Sequence, residues 1–223
     1  MTLPAAGNCG RFPSPDILKF LRVGSGSSLR RVVAGRTRAN PTGTNMTCIV
    51  GLVDGQTVHI GGDSAGVGGY SLTVRADRKV FRNGDFVMGF TTSFRMGQLL
   101  QHAFVPPKRH PDTDVDKFMV TTFIDAVRDC LKTGGYAERH NEAELGGVFL
   151  VGYAGRLFRI DNDYQVGEAV DGFDAVGCGE QIARGSLYST ASMKPRERLK
   201  LALEAAERFS AGVRGPFHTE KTQ

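Results

Sequence analysis

At 223 residues the chain is long enough for one domain with a full hydrophobic core plus a tail. Apolar residues make up 40% and charged residues 23%, an ordinary globular composition, and no run approaches the roughly 18 consecutive apolar residues that a membrane-spanning helix needs. The net charge of +5 is concentrated at the start, where residues 1 to 45 carry seven Lys or Arg against the single Asp16 and leave the rest within one charge of neutral; a near-neutral body without Trp or a basic stripe gives no support for nucleic-acid binding.

The first 45 residues are rich in Pro, Gly, Ser and Arg and are broken by Gly24-Ser25-Gly26-Ser27-Ser28 and Asn40-Pro41-Thr42-Gly43. Only Ile17 to Val23 could form a short helix. This segment reads as a dispensable basic extension: a removable propeptide, a targeting segment, or upstream sequence translated from a misplaced start, with Met46 as the true one. It lacks the apolar stretch of a secretory signal.

At Met46 the character changes. Thr47 to Val53 is β-branched and apolar, Asp54-Gly55 is a hairpin turn signal, and Thr57 to Gly62 is a second strand. A weaker strand is expected near Ser71 to Arg75, then strands over Lys79 to Arg82 and Asp85 to Phe90 around the turn Asn83-Gly84. Two helices follow, Ser93 to Phe104 and Val115 to Leu131, the second with Phe118, Met119, Thr122, Phe123, Ala126, Val127, Cys130 and Leu131 on one face and Gly134-Gly135 as its stop. Strands return at 147 to 153, 156 to 160, 164 to 170 and 173 to 176, and helices over Glu180 to Ser189 and Pro195 to Ser210 complete the body. Strands gathered in antiparallel blocks argue against a doubly wound parallel sheet. They suggest two sheets stacked face to face with a helical layer outside each, a four-layer α/β/β/α sandwich of mixed α and β class.

Several motifs can be set aside on their context. Gly62-Asp63-Ser64-Ala65-Gly66 matches the serine-hydrolase elbow, but Gly66-Val67-Gly68-Gly69-Tyr70 cannot begin the helix that the elbow requires. Asp112, Asp114 and Asp116 imitate a calcium loop, yet Lys117 and Phe123 stand where Gly and Glu are needed; they read as helix-capping charge. The five histidines show no paired ligand spacing, so no metal is expected, and no phosphate loop or dinucleotide fingerprint is present, so no organic cofactor is expected. The four cysteines are widely spaced and fit free thiols in a reducing, cytoplasmic setting.

Counted from Thr47, Asp63 lies 16 residues on and Lys79 lies 32 on. Taken singly these are a strand-initiating threonine, a turn aspartate and a solvated strand lysine. Together with Thr47-Cys48-Ile49-Val50-Gly51, Gly61-Gly62-Asp63, Met88-Gly89-Phe90 and Val176-Gly177-Cys178-Gly179, they resemble the proteasome β-subunit and HslV family of threonine peptidases, from about Thr47 to His218. The resemblance implies an N-terminal-nucleophile hydrolase fold and a catalytic set of Thr47, Asp63, Lys79 and Cys178, the last where the family carries a serine. It further implies polypeptide substrates, a homo-oligomeric ring and an ATP-dependent unfoldase as partner. A non-catalytic ring subunit with a blocked Thr47 amine, and an amidase acting on a small amide, remain open beside it.

The sequence departs from the family at Met46, which precedes the threonine in place of the usual glycine. It departs also at Thr91-Thr92-Ser93, which replaces the glycine-rich source of the oxyanion amide, and at Ser210-Ala211-Gly212, which lacks the late aspartate. The chemistry explains the terminal position. A threonine hydroxyl needs an adjacent base, and a free α-amine of pKa about 7.7 to 8.0 serves far better at neutral pH than a lysine near 10.4.

Overall fold

The structure, a computed structural model, describes residues 46–136, 138–140 and 143–223. The basic extension and its Ile17 to Val23 helix lie outside the described residues. Strands β1 (Cys48–Asp54) and β2 (Thr57–Gly62) form the expected hairpin, with Gly55 at a φ of +60°, a backbone region that suits glycine. Strands β3 (Ala65–Gly68) and β4 (Ser71–Val74) form a second, separate hairpin, and β5 (Val80–Asn83) and β6 (Phe86–Phe90) a third. Strands β7 (Glu138–His140) and β8 (Ala143–Leu145) pair only with each other. They are followed by β9 (Phe149–Tyr153), β10 (Arg156–Ile160), β11 (Val166–Glu168), β12 (Phe173–Gly177) and, near the end, β13 (His218–Lys221).

The main strands make two antiparallel sheets, ordered β12-β1-β2-β13 and β11-β10-β9-β6-β5. The fold is thus mixed α and β with antiparallel sheets. The helices are α1 (Phe94–His102), α2 (Val115–Phe118), α3 (Ile124–Thr133), α4 (Glu180–Ser189) and α5 (Pro195–Phe209). Ser93 caps α1 by accepting from the amides of Arg95 and Met96, and Asp114 caps α2 by accepting from those of Asp116 and Lys117. The acidic run at 112 to 116 therefore includes the expected helix cap.

The alternation of β1 divides its side chains between two cores. Cys48, Val50 and Leu52 pack with Ala183, Leu187, Leu199 and Leu203 of α4 and α5. Ile49 points the other way and packs with Val58, Val80, Val87, Leu150 and Val176, which come from both sheets. A third cluster joins the outer side of β6 and β9 to α1, α2 and α3 through Phe86, Met88, Leu100, Phe118, Phe123, Val127 and Val151.

Between α2 and α3 the chain makes a π-helical turn, Met119–Phe123. Its wider turn shifts every later residue around the axis. Thr122, expected on the buried face, is consequently exposed, and Ile124 takes a core position. The apolar faces of α1 and of the 115–133 helix pack against the larger sheet, while Val120 on that stretch stays exposed. The exposed large apolar side chains include Tyr70, Leu72 and Val74 of the β3–β4 hairpin and Tyr188, Leu201 and Phe209 of α4 and α5. Among the described residues no helix is long and apolar enough to cross a membrane.

Candidate active site

Three side chains meet where β1, β2 and β5 begin or end. Thr47 immediately precedes β1, Asp63 immediately follows β2, and Lys79 immediately precedes β5. Lys79 Nζ donates to Thr47 Oγ1 at 2.9 Å and to Asp63 Oδ1 at 2.8 Å. Thr47 is 6% exposed, Lys79 1% and Asp63 0%, so the cluster is largely buried and its electrostatic interactions are strengthened accordingly.

The carboxylate is held from several directions. Asp63 Oδ1 also accepts from the Cys48 amide at 3.1 Å, while Oδ2 accepts from the amides of Ala65 at 2.9 Å and Arg214 at 3.2 Å. Three backbone donors and one ammonium leave little freedom to rotate, and they keep Asp63 available as the counter-ion of a buried lysine. Burial pushes the Lys79 ammonium below the ordinary lysine range, and the charge and hydrogen bond of Asp63 act against that fall.

The backbone around Thr47 is equally confined. Gly177 of β12, opposite Cys48, has a φ of +104°, and a Cβ added there would stand 2.2 Å from the Thr47 carbonyl oxygen. Only glycine fits such an approach. The same carbonyl accepts from the Gly179 amide at 3.4 Å and from Cys178 Sγ at 3.5 Å. Cys178 is exposed, and its Sγ lies 3.0 Å from Ser210 Oγ. The structure therefore brings Thr47, Asp63, Lys79 and Cys178 to one place, with Cys178 against the backbone of Thr47.

Residues near the C-terminus complete the enclosure, a contribution absent from the sequence reading. The Ser64 amide donates to the Arg214 carbonyl at 2.7 Å and Ser64 Oγ to the Pro216 carbonyl at 2.6 Å. Gly212 lies so close to Met46 that an added Cβ would stand 2.8 Å from its Cα. Ser64 is 1% exposed and leads into a strand. Its hydroxyl is committed to a carbonyl, so the elbow motif has neither the helix nor the free serine it needs.

On the open side lies a cleft of about 160 Å³ bordered by Thr47, Ala65, Val67, Lys79, Phe90 and Phe94. The segment Thr91-Thr92-Ser93 forms its rim. Thr92 has a φ of +55°, a strained position for a β-branched residue, and the Ser93 amide bonds back to the Thr91 carbonyl in a γ-turn. The Thr92 hydroxyl accepts from the Val148 amide at 3.0 Å, and the Thr91 amide donates to the Val148 carbonyl. The amides of Thr91 and Ser93 are thus both already donated. A larger groove of about 380 Å³ lies elsewhere, between β13 and α5 beside His59 and Leu199, and contains none of the residues singled out by spacing. Among the described residues no group of three or more His, Cys, Asp or Glu is placed to hold a metal ion.

No protein-family model matches the sequence, and no curated protein does. Solved structures do share the fold. Thiobacillus denitrificans BPH in complex with epoxomicin is 19% identical with a TM-score of 0.67, over 79% of this chain and 98% of that one. Eukaryotic HslV from Trypanosoma brucei is 18% identical with a TM-score of 0.55, over 78% and 98%. Anbu (ancestral beta-subunit) from Yersinia bercovieri is 14% identical with a TM-score of 0.56, over 79% and 81%. At these identities the likeness is one of fold, and the resemblance to HslV and its relatives that the sequence carries is present in that fold.

Proposed function

We propose that this chain is a threonine-type endopeptidase subunit of a proteasome-like assembly, with Thr47 as an N-terminal nucleophile in a four-layer α/β/β/α sandwich. One observation carries the reading: the buried Lys79 ammonium bridges Thr47 Oγ1 and the Asp63 carboxylate at 2.9 and 2.8 Å. A cation so close to the hydroxyl favours its deprotonated form. Asp63 keeps that cation in the interior and fixes its direction.

In the active form residues 1 to 46 are absent and Thr47 carries a free α-amine. The amine takes the proton from Oγ1 as Oγ1 attacks the peptide carbonyl carbon. It then gives that proton to the departing amine as the C–N bond breaks, leaving an ester on Thr47 that water hydrolyses. Positioned general-base catalysis of this kind is worth about 10²- to 10⁴-fold. Cys178 and the Gly179 amide act as positioning groups by holding the Thr47 carbonyl. Unfolded polypeptides are the substrates, further copies of the chain form a ring around the sites, and an ATP-driven unfoldase in the cytoplasm supplies the chains. The extension is dispensable for folding of residues 46 to 223.

A specific contact favours the non-catalytic reading for a chain that is never cut. While Met46 is attached the Thr47 nitrogen is an amide, and Oγ1 donates to the Met46 carbonyl at 2.6 Å. N-terminal sequencing of the native protein decides between the two. Thr47 as the first residue supports the peptidase, and retention of residues 1 to 46 supports the assembly subunit.

A further inference from the structure

The groove of about 380 Å³ between β13 and α5 is lined by His59, Arg196, Leu199, Thr219, Glu220 and Lys221, none of which serves the Thr47 cluster. The register of the sheet builds one wall. Val58 and Ile60 of β2 point into the core between the two sheets, so His59 points to the opposite face. Lys221 of β13 pairs with His59, and Thr219 with Gly61; residues so paired share a face, with Cβ atoms about 4.5–5.5 Å apart. That face lies under α5, because a Cβ added at Gly61 would stand 3.2 Å from Leu203 Cδ1 and 3.5 Å from Thr219 Cγ2. The helix supplies the other wall. Leu199 is fully buried, and Arg196 stands one turn before it on the same stripe of α5.

These walls gather positive charge without an answering carboxylate. Neither Arg196 nor Lys221 has an ion-pair partner among the described residues. Glu220 also borders the groove, but it alternates to the other side of β13, and its carboxylate lies 3.6 Å from Arg78 Nη1. Burial holds the His59 imidazole below its usual value and the nearby Lys221 ammonium adds to the fall, with Asp54 acting the other way. Basic groups kept together in this way disfavour one another's charge, and an anion placed between them removes that penalty. A cationic guest meets three basic groups. An uncharged apolar guest covers Leu199 but strips water from the cations without return. The volume lies within the range of about 300–1,000 Å³ found for sites that take small organic ligands.

We propose that this groove binds a small phosphorylated organic molecule, with its phosphate held between Arg196, Lys221 and His59 and its carbon body over Leu199. The donors favour phosphate over carboxylate. Basic groups on two walls approach from different directions, which suits three terminal oxygens better than two, and the guanidinium can pair with two of those oxygens at once. The site shares no residue with the Thr47 cluster, so it stands whether or not the chain hydrolyses peptides. An occupant bridges β13 and α5, and therefore stabilises the folded chain by mass action.

The test is titration calorimetry on the full chain near neutral pH with phenyl phosphate, inorganic phosphate, phenylacetate and benzylamine. Phenyl phosphate is expected to saturate one site per chain. It should bind at least fivefold more tightly than inorganic phosphate, because its ring gains apolar contact, and at least fivefold more tightly than phenylacetate, while benzylamine should not bind. Arg196→Gln and Lys221→Gln should each weaken phenyl phosphate tenfold or more, the usual scale for a lost charge-assisted hydrogen bond, and Lys221→Arg should retain most of the affinity. Arg196 and Lys221 are both exposed, so their replacement leaves the core intact. Arg82→Gln, at an exposed position of β5, is the control and should bind as the unmodified chain does. The His59 imidazole resonance, assigned by its loss in His59→Gln, should move with the same midpoint. No saturable binding at millimolar phenyl phosphate overturns the proposal. Equal weakening by Arg82→Gln, or an unmoved His59 resonance, assigns the binding to diffuse charge and overturns the site. Phenylacetate bound as tightly as phenyl phosphate overturns the assignment of a phosphate.

Discussion

Lys79 Nζ stands 2.8 Å from Asp63 Oδ1 with both side chains excluded from solvent, and the two partners are not equally dependent on each other. Asp63 keeps three backbone donors when the lysine is gone, whereas Lys79 loses its counter-ion when the aspartate is gone. Asp63→Ala is therefore expected to cost roughly 3–5 kcal/mol of stability, and Lys79→Met distinctly less. Urea unfolding of the two variants and the double mutant measures this. Equal losses in the single mutants would show that the backbone donors do not hold the carboxylate.

Gly177→Ala places a methyl group against the Thr47 carbonyl at a φ of +104°. The carbonyl must move, taking Oγ1 with it. Loss of peptide hydrolysis together with a stability cost on the order of 1–3 kcal/mol is expected. Gly68→Ala serves as the control, since an added Cβ there meets nothing within 4 Å. Thermal melts and hydrolysis assays on both variants check the contrast.

Two histidines give the fold a dependence on acid. Burial lowers His59 below the usual imidazole value of 6.5, and Lys221 adds to the fall; burial likewise lowers His218, with Arg78 beside it. Each folded pKa is depressed, so between 6.5 and the lowered value the unfolded chain binds more protons. Stability present above pH 6.5 is lost as the pH falls through that window. Replacing both with Gln should flatten the change in urea midpoint between pH 7.5 and 5.5. A slope identical to that of the unmodified protein would rule these two residues out as its source.

The opening hairpin was legible because Thr47 to Val53 and Thr57 to Gly62 are β-branched runs on either side of Asp54-Gly55. Strand β3 was not, since Ala65-Gly66-Val67-Gly68 has glycine where alternation would show. Strand β13, His218-Thr219-Glu220-Lys221, is a charged edge strand paired only to β2, and edge strands carry no apolar pattern to read. The misplacement of Thr122 came from one π-helical turn, which leaves no mark in helical spacing. At the site, the offsets of Asp63 and Lys79 were readable because each contributes its own side chain. Arg214 and Pro216 were invisible because they contribute a backbone amide and a carbonyl from about 150 residues away in sequence. Met46 could be read as a possible start, but not as the acceptor of the Thr47 hydroxyl.

The central claim is that Thr47 performs the chemistry and Ser64 supports it, and peptide hydrolysis by protein with a free Thr47 tests this most directly. Thr47→Ala and Lys79→Ala are expected to lose hydrolysis by at least 10²-fold, as removal of a nucleophile or of the charge that tunes it should, while Ser64→Ala retains much of it. Hydrolysis that survives in both Thr47→Ala and Lys79→Ala but disappears in Ser64→Ala would contradict the account.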